Sequence, residues 1–171
     1  THMTARQAAT RAAELLSSFV RMTQYARKNE VRAVIIAGDL FDGARVKERT
    51  VDEVLSAMRA TPEVDYLYLP GNHDEAASAF HDRKLPENLK CFGNTWKTYC
   101  YDTAAISGRT LGSGDERLYE ELPILDGHVN LVTLHGQLAT ACGEVQINRK
   151  LLEHRGIDYL ALGHIHRYSL Q

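Results

Sequence analysis

Apolar residues recur at helical spacing near the start of the chain, where Ala8, Ala9, Ala12, Leu15, Leu16, Phe19, Val20 and Thr23 form one face. Thr4 and Gln7, just ahead of them, have capping-box spacing, so an amphipathic helix is expected to open the chain. Val31 to Ala37 is apolar, β-branched and too short for a helix of its own, and it stops abruptly at Gly38-Asp39, which predicts a buried strand. Thr50 and Glu53 offer a second capping box, leading into Val51, Val54, Leu55 and Met58 as the inward face of a helix that ends before Pro62. Tyr66 to Leu69 is the next strand, stopped by Pro70-Gly71. Strand, helix and strand in that order predict a βαβ unit with a parallel sheet.

From Leu89 to Ile106 aromatic and polar residues alternate around Phe92, Trp96, Tyr99 and Tyr101 without a helical period, which predicts short strands. The stretch from Gly108 to Gly114 is a loop, either a lid or a connection. Val129 to Thr133 restarts the strand pattern, Asn148 to His154 has helical character with Gly156 as its stop, and Tyr159 to Leu162 is a strand ending at Gly163.

Composition narrows the class. With 171 residues, 44% hydrophobic, 25% charged and a net charge of -2, the chain has the balance of one soluble globular domain. A chain of this length buries enough surface to do without a disulfide or a structural metal, so any metal it binds serves chemistry. Cys91, Cys100 and Cys142 are odd in number and lack CxxC spacing, which points to a reducing compartment, the cytoplasm. No run nears the roughly 18 apolar residues of a membrane span, and the N-terminus has no signal-peptide core, so membrane insertion is not expected. The balanced charge leaves no global footprint for nucleic acid, and any such contact must be local. Arg45, Lys47 and Arg49 are the nearest phosphate-binding candidates, although a solvated loop explains them as well. Trp96, Tyr99 and Tyr101 suit sheet core and rim better than base stacking, and His81, His128 and His154 read as surface histidines.

The chemistry gathers at strand ends. Four apolar runs each pass directly into metal-ligand residues: Gly38-Asp39-Leu40-Phe41-Asp42, Gly71-Asn72-His73-Asp74, Leu134-His135-Gly136 and Gly163-His164-Ile165-His166. Ligands of open α/β sheets bind outside the carboxyl ends of the strands, so four such tips can converge although far apart in sequence. Carboxylate, amide oxygen and imidazole without thiolate suit Mn²⁺, Fe or Zn²⁺, which makes the cysteines spectators. Each turn alone is ordinary local structure; the set in order is specific.

GDLFD, GNHD, LHG and GHIH resemble, in order, the later motifs of the calcineurin-like metallophosphoesterases, over nearly the whole chain from Ala33 to His166. The contexts IIAGDLFD, YLPGNHD and YLALGHIH are similar to the SbcD-type DNA repair exonuclease branch. The resemblance implies a two-sheet α-β-β-α sandwich holding two divalent ions, with Mn²⁺ ahead of Fe or Zn²⁺. It implies that Asp39 bridges the ions, that Asn72, His135 and His164 complete the second, and that His166 serves the first. His73 would be the acid beside the leaving group and Asp42 its orienting carboxylate. Two ions about 3.5–4 Å apart can clamp a phosphoryl group through in-line displacement, and an imidazole can protonate the leaving oxygen. DNA as substrate and an SbcC-like coiled-coil ATPase as partner are further implications of the resemblance alone, and a homodimer is a separate reading that no motif decides.

The family's first motif, Asp-x-His at the tip of a first strand, has no counterpart before the opening helix, and His2 lacks the Asp such a motif needs. Thr1 to Met3 reads as a cloning remnant or a linker. The chain is therefore expected to be one domain truncated at both ends, without its first and C-terminal strands, to hold at most one well-ordered ion, and to hydrolyse weakly or not at all. Two other readings compete: a phosphodiesterase for cyclic nucleotides or other small phosphodiesters, and a non-catalytic binding scaffold.

Overall fold

In the computed structural model the described residues are 4–41, 46–71, 80, 82–112, 117–138 and 146–164. The opening helix, α1, spans Ala5–Lys28 and starts at the expected capping box: the Thr4 hydroxyl accepts from the Gln7 N–H and the Gln7 side chain accepts from the Thr4 N–H. Only its second half is packed, with Thr23 and Ala26 buried and Leu16, Phe19 and Met22 leaning on the core.

Strand β1, Ala33–Ala37, is two residues shorter than Val31 to Ala37 predicted. Helix α2, Glu48–Arg59, buries Val51, Val54, Leu55 and Met58 as expected. Its start differs. Lys47 is the N-cap and makes no side-chain cap bond, while Thr50 lies inside the first turn with its N–H already bonded to the Lys47 carbonyl. The Glu53 carboxylate turns instead to Arg49, 2.7 Å away, so the Thr50–Glu53 box does not form. Strand β2, Asp65–Leu69, lies parallel to β1 with Ala37 opposite Leu69, and β3, Leu89–Cys91, lies parallel to β2. The predicted βαβ unit is present.

The second sheet runs in the order β4-β5-β6-β9. Strands β4, Lys97–Tyr101, and β5, Ala104–Gly108, form an antiparallel hairpin in the aromatic middle of the chain, as predicted. Strand β6, Val129–His135, and β9, Tyr159–Gly163, continue the sheet in parallel. Between them lie a short parallel pair, β7 (Gln137–Leu138) and β8 (Gln146–Ile147), which no sequence pattern announced. The helix expected from Asn148 to His154 is one turn, α4, Arg149–Leu152, following a four-residue α3, Arg117–Glu120. Glu153 is extended and His154 has φ of 61°, so the backbone leaves the helix early to feed β9.

Side-chain alternation sorts the strands into layers. Val34, Ile36, Tyr66 and Tyr68 face the helices, whereas Ile35, Leu67 and Leu69 face the second sheet and meet Phe92, Ile106, Tyr99, Tyr101 and Leu131. Val132 and Leu134 point the other way, into a third cluster with Leu122, Ile147 and Leu152. The result is two sheets flanked by helices, the α-β-β-α arrangement expected. Asn88 closes the end of α2: its buried amide nitrogen lies within 3.0 Å of the carbonyls of Met58, Thr61 and Val64.

The sheets are tied across their amino-terminal end. Tyr101, at the end of β4, donates to the Asp65 carboxylate at the start of β2 (2.7 Å), and Lys90 reaches the same carboxylate at 2.5 Å. Burial first, and then the hydrogen bond to Asp65, push the Tyr101 phenol up from its ordinary value. The folded chain thus holds this proton more tightly than the unfolded chain does. The resulting stability is complete below the ordinary tyrosine value, about pH 10, and drains away as pH rises towards the folded value. In urea denaturation, Tyr101→Phe is expected to lower stability at neutral pH by about 1 kcal/mol, with the difference from wild type shrinking above about pH 10. A difference independent of pH would contradict this assignment.

Candidate metal centre

The carboxyl ends of the two sheets meet where β1 lies against β6 and β9. His135 is the last residue of β6 and shares the face of Leu131, which packs between the sheets, so its ring points at the first sheet. There Nδ1 lies 2.8 Å from the carbonyl of Ala37, the last residue of β1. Two residues further on, Asp39 turns back with φ of 53° and brings its carboxylate to 3.4 Å from His135 Nε2. His164 follows β9 directly, with φ of 99°, and sets its ring edge-on to that of His135, centroids 5.3 Å apart. One ligand atom from each of Asp39, His135 and His164 lies within 4.8 Å of the others.

This trio fits a cation. A carbonyl can only accept, so the bond to Ala37 places a hydrogen on His135 Nδ1 and, in the neutral ring, leaves a lone pair on Nε2. That nitrogen is buried without a hydrogen-bond partner among the described residues, and it faces a carboxylate. Two acceptors at this spacing repel unless positive charge lies between them. Ligand atoms bound at about 2.0–2.2 Å to one first-row ion stand roughly 3–3.5 Å apart, and Nε2 and the Asp39 oxygen match that. His164 Nδ1 is likewise buried and unpartnered among the described residues. An orphaned buried nitrogen costs about 1–3 kcal/mol, so two of them beside a carboxylate mark a place prepared for a ligand.

The backbone supports the same conclusion. Positive φ at Asp39 and His164 costs about 1–3 kcal/mol each in non-glycine residues and is retained where the surroundings hold it. His135 is only 4% exposed, while Asp39 and His164 are half-buried. Among the described residues no thiol joins the trio: Cys91 is half-buried in β3, where burial pushes its thiol up, and Cys100 is exposed, while Cys142 lies outside the described residues.

Of the site residues expected from sequence, Asp39, His135 and His164 are thus brought together, and Asp42, Asn72, His73 and His166 lie outside the described residues. Lys47 and Arg49 are exposed, with Arg49 engaged by Glu53, and Arg45 lies outside the described residues. Tyr99 and Tyr101 belong to the inter-sheet core and Trp96 leans on the third cluster, as sheet core and rim. His128 is half-buried against the Asp126 carbonyl, His154 is exposed, and His81 lies outside the described residues. Sequence reasoning missed the Ala37 carbonyl, which no side-chain motif can announce. Compared with known families, residues 1–168 match the model described as calcineurin-like phosphoesterase. No curated protein matches the sequence.

A divalent ion at a hundredfold excess over its Kd is expected to stabilise the chain by about 2.7 kcal/mol, seen as a higher Tm with Mn²⁺ or Zn²⁺ and reversed by EDTA. Asp39→Asn should weaken binding at least about 100-fold, the upper end of what loss of an outer partner costs. Identical melting curves with and without ions would show that the trio is not a metal centre.

Proposed function

Because the chain belongs to the calcineurin-like phosphoesterase family, whose chemistry is metal-dependent phosphoester hydrolysis, we propose that it is the nuclease subunit of a DNA double-strand-break repair complex. The observation that carries the finer reading is the context of the strand-end motifs, IIAGDLFD, YLPGNHD and YLALGHIH, which resembles the SbcD-type exonucleases. The centre of Asp39, His135 and His164 supports the hydrolytic part of it.

In this reading Asp39, His135 and His164 would hold metal, joined by Asn72 and His166 from the same motifs. Bound divalent ions, Mn²⁺ foremost, supply Lewis acidity and an activated water. The chain's own groups do the rest. Asp39 offers a carboxylate able to bridge two ions. His135 and His164 would offer imidazole nitrogens, which bring no negative charge to the ions. His73 delivers a proton to the leaving oxygen, and Asp42 fixes the tautomer that carries it. DNA, a coiled-coil ATPase of the SbcC kind, a homodimer and a cytoplasmic setting complete the proposal. It agrees with the lack, among the described residues, of any helix long and apolar enough to cross a membrane.

With Mn²⁺, the full-length protein together with its ATPase partner is expected to degrade linear duplex DNA in preference to cyclic nucleotides and small diesters. Cleavage of small diesters with no action on DNA ends would overturn the nuclease reading. In the full-length protein, His73→Ala should keep its metal and lose about 10²–10⁴ in turnover. Metal lost along with turnover would make His73 a ligand or a structural residue.

A further inference from the structure

The imidazole of His135 sits in a cradle built from three strand ends. A side-chain carbon placed on Gly38 would overlap the ring, one on Gly71 would overlap Asp39 and lie 2.8 Å from His135 Cε1, and one on Gly163 would overlap the Ala37 carbonyl and lie 2.8 Å from His135 Nδ1. Gly163 is the informative member, because its place is fixed from both sheets. It is the register partner of His135 in the second sheet, and its carbonyl accepts from the Gly136 N–H at 3.2 Å. Across the interface it abuts Ala37, which is itself paired with Leu69 of β2. Neither neighbour can retreat without breaking its own ladder. A bulkier residue at 163 would have to part the two sheets at this spot, and the His135–Ala37 hydrogen bond would be the first contact to lengthen.

We propose that Gly163 is a positioning residue: by letting β9 and β1 touch, it keeps the Ala37 carbonyl against His135 Nδ1, holds the ring in its Nδ1–H tautomer and thereby aims the Nε2 lone pair at the metal position. This rests on the metal-centre reading and on nothing about the substrate. Imidazole in water favours the opposite tautomer, with hydrogen on Nε2, so the Nδ1–H form is one the fold must impose. Outer partners that fix a ligand's tautomer are worth about 10–100-fold in metal affinity. Here the partner is a backbone carbonyl in the other sheet, so the contact between sheets becomes a determinant of metal binding.

The test is long-range ¹H–¹⁵N NMR of histidine-labelled, metal-free chain at about pH 8, where imidazole is ordinarily neutral, with His135 assigned by its loss in His135→Gln. The expected spectrum shows hydrogen on Nδ1. Gly163→Ala is expected to shift His135 toward the Nε2–H form and to weaken Zn²⁺ and Mn²⁺ binding by about 10–100-fold. Gly156→Ala is the control, since Gly156, ahead of the start of β9, has positive φ (80°) where Gly163 does not, and its nearest contact is Ile124 rather than His135 or Ala37. It should lower stability while leaving tautomer and affinity unchanged. Hydrogen on Nε2 in the wild-type chain, or a Gly163→Ala chain with unaltered tautomer and affinity, overturns the proposal. Should Gly163→Ala fail to fold, the wild-type spectrum still decides the tautomer. Because no readout involves DNA or turnover, failure of the nuclease reading leaves this result standing, and absence of metal binding in every variant would fault the centre itself.

Discussion

Two sheets that share no backbone hydrogen-bond ladder among the described residues must be kept in register for any ligand set drawn from both to persist, and the bond from His135 to the Ala37 carbonyl is a contact that does so at the functional end. Apolar packing between the sheets is non-directional: Leu67, Leu69, Phe92 and Ile106 would tolerate a small slide. A hydrogen bond with a fixed tautomer would not. Asp39 comes from the first sheet, and His135 and His164 from the second, so the geometry of the trio is only as definite as the junction between the layers.

Much of this was legible in the chain because the signals were side chains. Alternation placed the strands, and the abrupt change from apolar residues to Asp39, His135 and His164 marked where they end. Parallel pairing of β1 with β2 and of β6 with β9 then carries those ends to one edge of the molecule. The misreadings share a cause. A helix as short as α4 gains little from its own propensity, so Leu152 docking into the third cluster and the need to enter β9 decide its length, whatever the helical look of the residues up to His154. Thr50 and Glu53 have the right spacing for a box, yet the cap falls three residues earlier, on Lys47, so Thr50 already has a helical bond of its own.

What remained hidden was carried by the backbone. The Ala37 carbonyl has no residue type to betray it, and the left-handed turn at His164 falls on a residue that seldom adopts it. Asn88 is similar: one amide gathering three carbonyls around the end of α2 reads in sequence as an ordinary polar residue before a short strand. Such contacts depend on where distant segments come to rest, and a sequence pattern of period two or 3.6 contains no information about that.

The tie between Tyr101 and Asp65 lies at the end of the sheets remote from the trio. A pair of layers clamped at one edge only can open like a hinge, whereas clamps at both edges permit neither opening nor shear. The two polar contacts, one made by a phenol and the other by an imidazole, therefore work as opposed fasteners on a greased interface, and loosening the distal one would be felt as play among Asp39, His135 and His164.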